Sequence, residues 1–155
     1  MSELNTKRLR DLFQLYKGLS SFFEELDKKI ISNAWDGERQ TTYNRSMAEN
    51  VAAFVKEHYK RRGFLVEFDY DTITVTDVSS ELFCQIQDER KKIEKYVQRL
   101  NTSLMHEAEG GIFTGEIGIP TIEICKVLSA YYESKGLEPS WELEGGKYIF
   151  RVSVK

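Results

Sequence analysis

The sequence has few of the residues that mark metal sites, disulfide frameworks or membrane spans. Its 155 residues include only two cysteines, two histidines and two prolines. No apolar run is long enough to cross a bilayer, and the first residues lack the apolar region of a signal peptide. We therefore expect a cytoplasmic protein that does not bind membranes, with Cys84 and Cys125 as buried free thiols.

The two histidines do not have the spacing of zinc ligands or of a known catalytic centre. His58 and His106 fall on different predicted helices, with no cysteine or second histidine at ligand spacing. The sequence therefore predicts no metal site, no cofactor and no enzymatic activity. The enzyme alternative would have to use His106, Glu107 and the glycine-rich connection that follows them.

The C-terminal segment, residues 119–155, has the pattern of one helix followed by one β-hairpin. Pro120 suits a first helical turn, and Gly136 stands where a left-handed residue ends a helix. Apolar and polar residues then alternate on both sides of Gly145-Gly146, a pair that favours a tight hairpin turn.

Residues 46–78 have the same pattern when Gly63 is aligned with Gly136. Ser46 and Glu49 have the spacing of a capping box at the start of the earlier helix. We interpret 46–78 and 119–155 as an internal repeat, the alternative being a chance match of a common local arrangement. The prediction is a single α+β domain over 1–155, in which two hairpins form antiparallel sheet and four helices pack on them.

Two long helices complete this prediction. The first covers about residues 4–32, where Gly18 could mark a bend, and the second connects the repeats over about 79–107. Residues 33–42 carry turn residues without a period, which predicts a loop. Trp35 in that loop is interpreted as a lid over the core or, alternatively, as an exposed anchor for a partner.

The connecting helix carries an apolar residue at every seventh position, at Ile86, Ile93 and Leu100. This spacing is typical of one position of a coiled coil, and charged residues surround it. A homodimer through this helix and the first helix is one expectation. Packing of the first helix against this connecting helix within one chain is the other.

The glycine-rich connection over residues 109–118 leads into the last helix, where backbone N–H groups could hold an anion. Its glycines are Gly110, Gly111, Gly115 and Gly118. Glu109 and Glu116 would repel phosphate, and the Gly-Lys-Ser/Thr ending of a Walker loop is missing. We expect a flexible linker, with an anion loop as the alternative.

Charge is distributed unevenly along this acidic chain, whose net charge is −3 and pI about 5.5. Residues 1–63 have a net charge of +3 and residues 64–155 a net charge of −6. Lys60, Arg61 and Arg62 form a basic cluster beside Tyr59. These residues could contact nucleic acid through phosphates and base stacking, or a protein partner, or they could simply favour the dipole of a helix end.

The segments Glu133–Leu137 and Tyr148–Val152 combine a lysine-glycine-hydrophobic helix end with a short hairpin. This combination resembles small accessory proteins of large tailed bacteriophages. The resemblance implies a virus-encoded binding protein that acts on a host factor or within a phage assembly. We therefore expect a non-catalytic protein that acts by protein–protein interaction, the alternative being a nucleic-acid-binding or small-anion-binding accessory protein.

Overall fold

The computed structural model of the chain describes residues 4–155 and has the α+β fold predicted from the sequence. These residues form five helices and six strands. In chain order they are α1 (Thr6–Gly18), α2 (Ser20–Trp35), β1 (Gln40–Asn44), α3 (Glu49–Lys60), β2 (Phe64–Asp69), β3 (Thr72–Asp77), α4 (Glu81–Glu109), β4 (Thr114–Ile119), α5 (Ile122–Ser134), β5 (Glu138–Glu144) and β6 (Lys147–Ser153).

The chain divides into two compact units. The first unit contains the chain up to Asn33 together with Arg39–Ser80. Its antiparallel sheet has the order β1-β3-β2. Apolar residues of α2 and α3 pack against one face of this sheet, and the fully buried members include Phe22, Leu26, Val55, Tyr59 and Ile73. Alternation along β3 directs Ile73 and Val75 into this core. The threonines at 72, 74 and 76 lie on the other face.

The second unit contains Ala34–Glu38 and Glu81–Lys155. Its antiparallel sheet has the order β4-β6-β5. Helices α4 and α5 pack against this sheet. The fully buried residues of the core that they form with it include Ile93, Leu100, Leu128, Tyr132 and Phe150. Gly145 and Gly146 both have positive φ at the β5–β6 turn, as a tight hairpin requires.

Both units contain the order helix, strand, helix, strand, strand, and in both the first strand pairs with the last. The predicted helix–hairpin segments are present in each, with Gly63 and Gly136 at positive φ after their helices. The third strand of each sheet was not predicted from the sequence. Residues 40–42, predicted as loop, begin β1, and residues 114–118, predicted as linker, form most of β4.

Two predicted helix boundaries were also wrong. The first long helix is two helices separated at Leu19, whose N–H donates to the Leu15 and Tyr16 carbonyls as α1 ends. Helix α3 begins at Glu49 after Ala48, and no side chain caps it, so Ser46 does not form the predicted capping box. In residues 4–155 no helix is both long and apolar enough to cross a membrane.

Candidate functional site

Helix α1 is amphipathic, yet none of its residues is buried. The Asn5 side chain caps its first turn by accepting the Arg8 N–H at 2.9 Å. Leu9, Phe13 and Tyr16 then recur at helical spacing and are 55%, 62% and 47% exposed. A stripe of large apolar side chains that remains open to solvent is typical of an interaction surface.

An open groove of about 600 Å³ lies between α1 and α3 in the first unit. Its lining combines an apolar floor with charged and polar groups at its margins. The lining residues are Arg8, Leu12, Leu15, Asn50, Ala53, Phe54, Glu57, His58 and Arg61. On α3 and at its C-cap Arg61, each lining residue has another three or four positions away, so together they form one continuous row along the helix.

His58 forms part of the groove wall and is packed among aromatic rings. Its ring centroid lies 4.1 Å from that of Phe23 and 5.9 Å from that of Tyr16. Partial burial lowers the pKa of His58 below its usual value, and the nearby charge of Arg62 lowers it further, whereas Asp27 acts in the opposite direction. His58 is therefore neutral at pH 7, which suits an apolar surface.

The charges around the groove are predominantly positive. Residues 6–18 and 49–62 hold eight lysines and arginines against three acidic residues, a net charge of +5, so the rest of the chain has a net charge of −8. Among the described residues the Arg8 guanidinium has no ion pair. Arg61 donates to Glu57 at 3.0 Å, but its side chain is 78% exposed. Both arginines can therefore reach a ligand in the groove.

The basic cluster predicted beside Tyr59 is only partly available at the surface. Tyr59 is fully buried, and its hydroxyl donates to Asp27 at 3.0 Å. Burial and the charge of Asp27 raise the pKa of this hydroxyl. Arg62 pairs with Asp27 and lies over the Tyr59 ring, 5.4 Å from its centroid. Tyr59 therefore cannot stack on a base; Lys60, Arg61 and Arg62 are exposed, but Arg62 is paired with Asp27.

Trp35 is the last residue of α2 and belongs to the core of the second unit. It is 1% exposed, its ring meets that of Tyr131 edge to face at 5.3 Å, and its carbonyl accepts the Arg90 guanidinium at 2.7 Å. Trp35 therefore covers the core, as the first interpretation predicted. It is not the exposed anchor of the alternative interpretation.

The residues proposed for a coiled-coil dimer are buried within the second unit. Ile86, Ile93 and Leu100 are at most 4% exposed. Helix α4 packs on β4 and α5 of its own unit, so the partner of these residues within the chain is not the first helix that the alternative named. This surface is therefore not available to a second copy of the chain.

The glycine-rich connection is not a flexible linker, and its four glycines do not form one loop. Gly110 and Gly111 close the end of α4, where their N–H groups donate to the Glu107 and Ala108 carbonyls. Gly115 and Gly118 lie within β4. A Cβ at Gly115 would stand 3.2 Å from backbone atoms of Leu104, so close helix–strand packing accounts for this glycine. The first turn of α5 is capped by the Thr121 side chain.

The remaining reactive residues, Cys84, His106 and Cys125, belong to the second unit. Cys125 is buried as predicted, and burial raises the pKa of its thiol, but Cys84 is exposed. His106 is exposed near the end of α4. Within residues 4–155 no cluster of three or more histidine, cysteine or acidic side chains could hold a metal ion.

The groove was missed from the sequence, although its signal was present. The apolar period of residues 9–16 was assigned to the core because periodicity does not show what covers a helix face. The basic residues interleaved with it, Lys7, Arg8, Arg10 and Lys17, were the available sign of a solvent-facing amphipathic helix. Comparison of the chain with protein-family models, curated proteins and solved structures found no match.

Proposed function

We propose that this protein is a non-catalytic binding protein and that it recognises another protein through the open stripe of α1 together with the groove beside it. The observation that carries the proposal is the open stripe of Leu9, Phe13 and Tyr16 on a helix with no buried residue. The stripe adjoins the groove where the Tyr16 ring lies 5.9 Å from that of His58, a groove residue. Covering such side chains removes apolar area from water, which is the main favourable term in protein association. Exposed aromatic side chains are the residue type most enriched at binding hot spots.

The surface around the stripe supports a protein ligand more than a nucleic acid. Nucleic-acid binding uses cations along the backbone path and free aromatic rings for stacking. Here the groove is lined by the apolar side chains of Leu12, Leu15 and Phe54, and the aromatic ring of the predicted basic cluster, Tyr59, is buried. An apolar floor with a polar margin is instead the usual anatomy of a protein interface.

The resemblance of Glu133–Leu137 and Tyr148–Val152 to phage accessory proteins supports a virus-encoded protein. On this proposal the partner is a host factor or a component of a phage assembly, and binding takes place in the host cytoplasm. The exposed free thiol of Cys84 fits a reducing compartment.

Affinity capture with matched variants tests whether the α1 stripe binds a protein. Phe13→Ser removes an aromatic ring from the stripe, and Phe113→Ser removes one from the second unit at a similar exposure of 54%. Each protein is immobilised and incubated with lysates of phage-infected and uninfected bacteria, and the captured proteins are quantified by mass spectrometry. We expect at least one protein that wild type and Phe113→Ser retain equally and that Phe13→Ser loses.

The same capture can contradict the proposal. A set of captured proteins identical for all three baits, or loss with Phe113→Ser instead, would place binding elsewhere. Circular dichroism of both variants provides the folding control, and neither substitution replaces a buried side chain. A partner present only in infected lysate would be phage-encoded or induced, and one present in both would be a host factor.

A further inference from the structure

The chemistry of the α1–α3 groove also indicates what kind of segment occupies it. Building on the proposed protein-binding function, we propose that the partner presents an amphipathic α-helix whose apolar face is flanked by acidic residues. Three features of the groove carry this inference: its shape, the state of its backbone and its charge.

The length of the groove along α3 matches a helix of about three turns. Its lining extends from Asn50 on α3 to the C-cap residue Arg61, a rise of about 16 Å at 1.5 Å per residue. Leu12 and Leu15 of α1 face these α3 residues across the groove. A third helix can insert its own row of side chains between two such helical walls, as helices do in ridges-into-grooves packing.

An extended peptide would lack partners for its backbone in this groove. Strand addition needs the free N–H and C=O groups of a sheet edge. Every lining residue except Arg61 lies within α1 or α3, where the backbone is committed to helical hydrogen bonds. A helical ligand satisfies its own backbone and needs only side-chain contacts from the groove.

The charge of the walls selects an acidic ligand. The two segments have a net charge of +5, and Arg8 and Arg61 stand at the groove with exposed guanidinium groups. Carboxylates beside the apolar face of the ligand would pair with them and speed association. A second copy binding face to face would instead bring Arg8 and Arg61 of two copies together, because a two-fold interface uses the same patch on both subunits.

Selection from an unbiased peptide library tests this inference. Random peptides of about 16 residues, enough for about four helical turns, are displayed and selected on the wild-type protein. Binders that a Leu12→Ser variant retains are removed by subtraction, because Leu12 lines the groove and is not buried. We expect the remaining sequences to carry apolar residues at i, i+3, i+4 and i+7 and a net negative charge, and to become helical on binding by circular dichroism.

A charge-reversed variant then measures the electrostatic contribution to the affinity of the selected peptides. Arg8→Glu should weaken the selected peptides about tenfold or more, and raised salt should reduce the difference from wild type. Arg99→Glu, at an exposed position of α4, is the matched control and should bind as wild type does. Both affinities are measured by fluorescence anisotropy.

Each other outcome overturns the inference. Selected peptides that are basic, neutral or of alternating period would reject an acidic helix while leaving the proposed function intact if Phe13→Ser still loses its captured protein. Failure of any peptide to depend on Leu12 would also reject it. Concentration-dependent dimerisation abolished by Leu12→Ser would assign the groove to a second copy, and polynucleotide binding abolished by Arg8→Glu would assign it to nucleic acid.

Discussion

The ring of Tyr16 stacks on the ring of Phe23, with the centroids 5.4 Å apart and the planes at 28°. This contact joins the last turn of α1 to the buried face of α2. Nearer the start of α1, Leu9 and Phe13 are more open than Tyr16. Helix α1 is thus held at one end and presents its apolar stripe to solvent.

Tyr16→Ala should loosen α1 without unfolding the first unit. Offset aromatic stacking contributes about 0.5–1.5 kcal/mol beyond the area buried, and α1 has no buried residue to replace it. We expect faster amide hydrogen exchange in residues 6–18 than in the wild type, with little change in α3. The control is Tyr70→Ala, at a position 97% exposed. Unchanged exchange in α1, or equal acceleration throughout the unit, would contradict this role of the stack.

Tyr59→Phe should destabilise the protein because the hydroxyl of Tyr59 is buried with Asp27 as its acceptor. Loss of a hydrogen bond to a carboxylate costs about 1–3 kcal/mol, and the low end applies here because Arg62 still pairs with Asp27. Urea denaturation measures the change, with Tyr70→Phe as control. A free energy of unfolding equal to that of the control would show that this hydrogen bond contributes nothing net.

Gly115→Ala should destabilise the second unit by about 1–3 kcal/mol, the usual cost of overpacking. The new methyl group would lie 3.2 Å from the Leu104 backbone, which cannot rotate away as a side chain could. Gly118→Ala is the matched change in the same strand and meets nothing within 4 Å. Thermal unfolding should therefore separate the two variants. Equal melting temperatures would mean that α4 and β4 do not approach as closely as described.

The stability of the protein should fall as the pH decreases through 6.5 because of His58. Its pKa in the folded protein lies below the ordinary value of 6.5. Between these two values the unfolded chain binds a proton that the folded protein does not, so acid favours unfolding. His58→Gln should reduce the slope of unfolding free energy against pH in this window, while the contribution of carboxyl groups remains. An unchanged slope would contradict the lowered pKa.

The sequence predicted the two helix–hairpin segments because their signals are local. Gly63 and Gly136 end helices, and the alternation around Gly145-Gly146 describes a hairpin without reference to the rest of the chain. The strands β1 and β4 carry no such signal. Gln40–Asn44 is polar and Thr114–Ile119 contains two glycines, so only pairing with β3 and β6 makes them strands.

Periodicity also could not show which apolar faces are covered. The heptad spacing of Ile86, Ile93 and Leu100 was compatible with a dimer, yet the second unit buries all three. The apolar stripe of α1 was assigned to the core, yet it is open. Both errors have one cause: hydrophobic spacing identifies a face but does not identify the surface against which it packs.

Site-specific photo-cross-linking is the most direct test of the claim that the stripe on α1 contacts a protein partner. The photoreactive residue benzoylphenylalanine replaces Phe13 in one protein and Phe113 in another, and each is irradiated in infected and uninfected bacterial lysate. The two positions have similar exposure, 62% and 54%, so unspecific collisions should label both alike. We predict a discrete cross-linked product of defined mass at position 13 and none at position 113. Products at position 113 alone, the same products at both positions, or no product at position 13 would contradict the account.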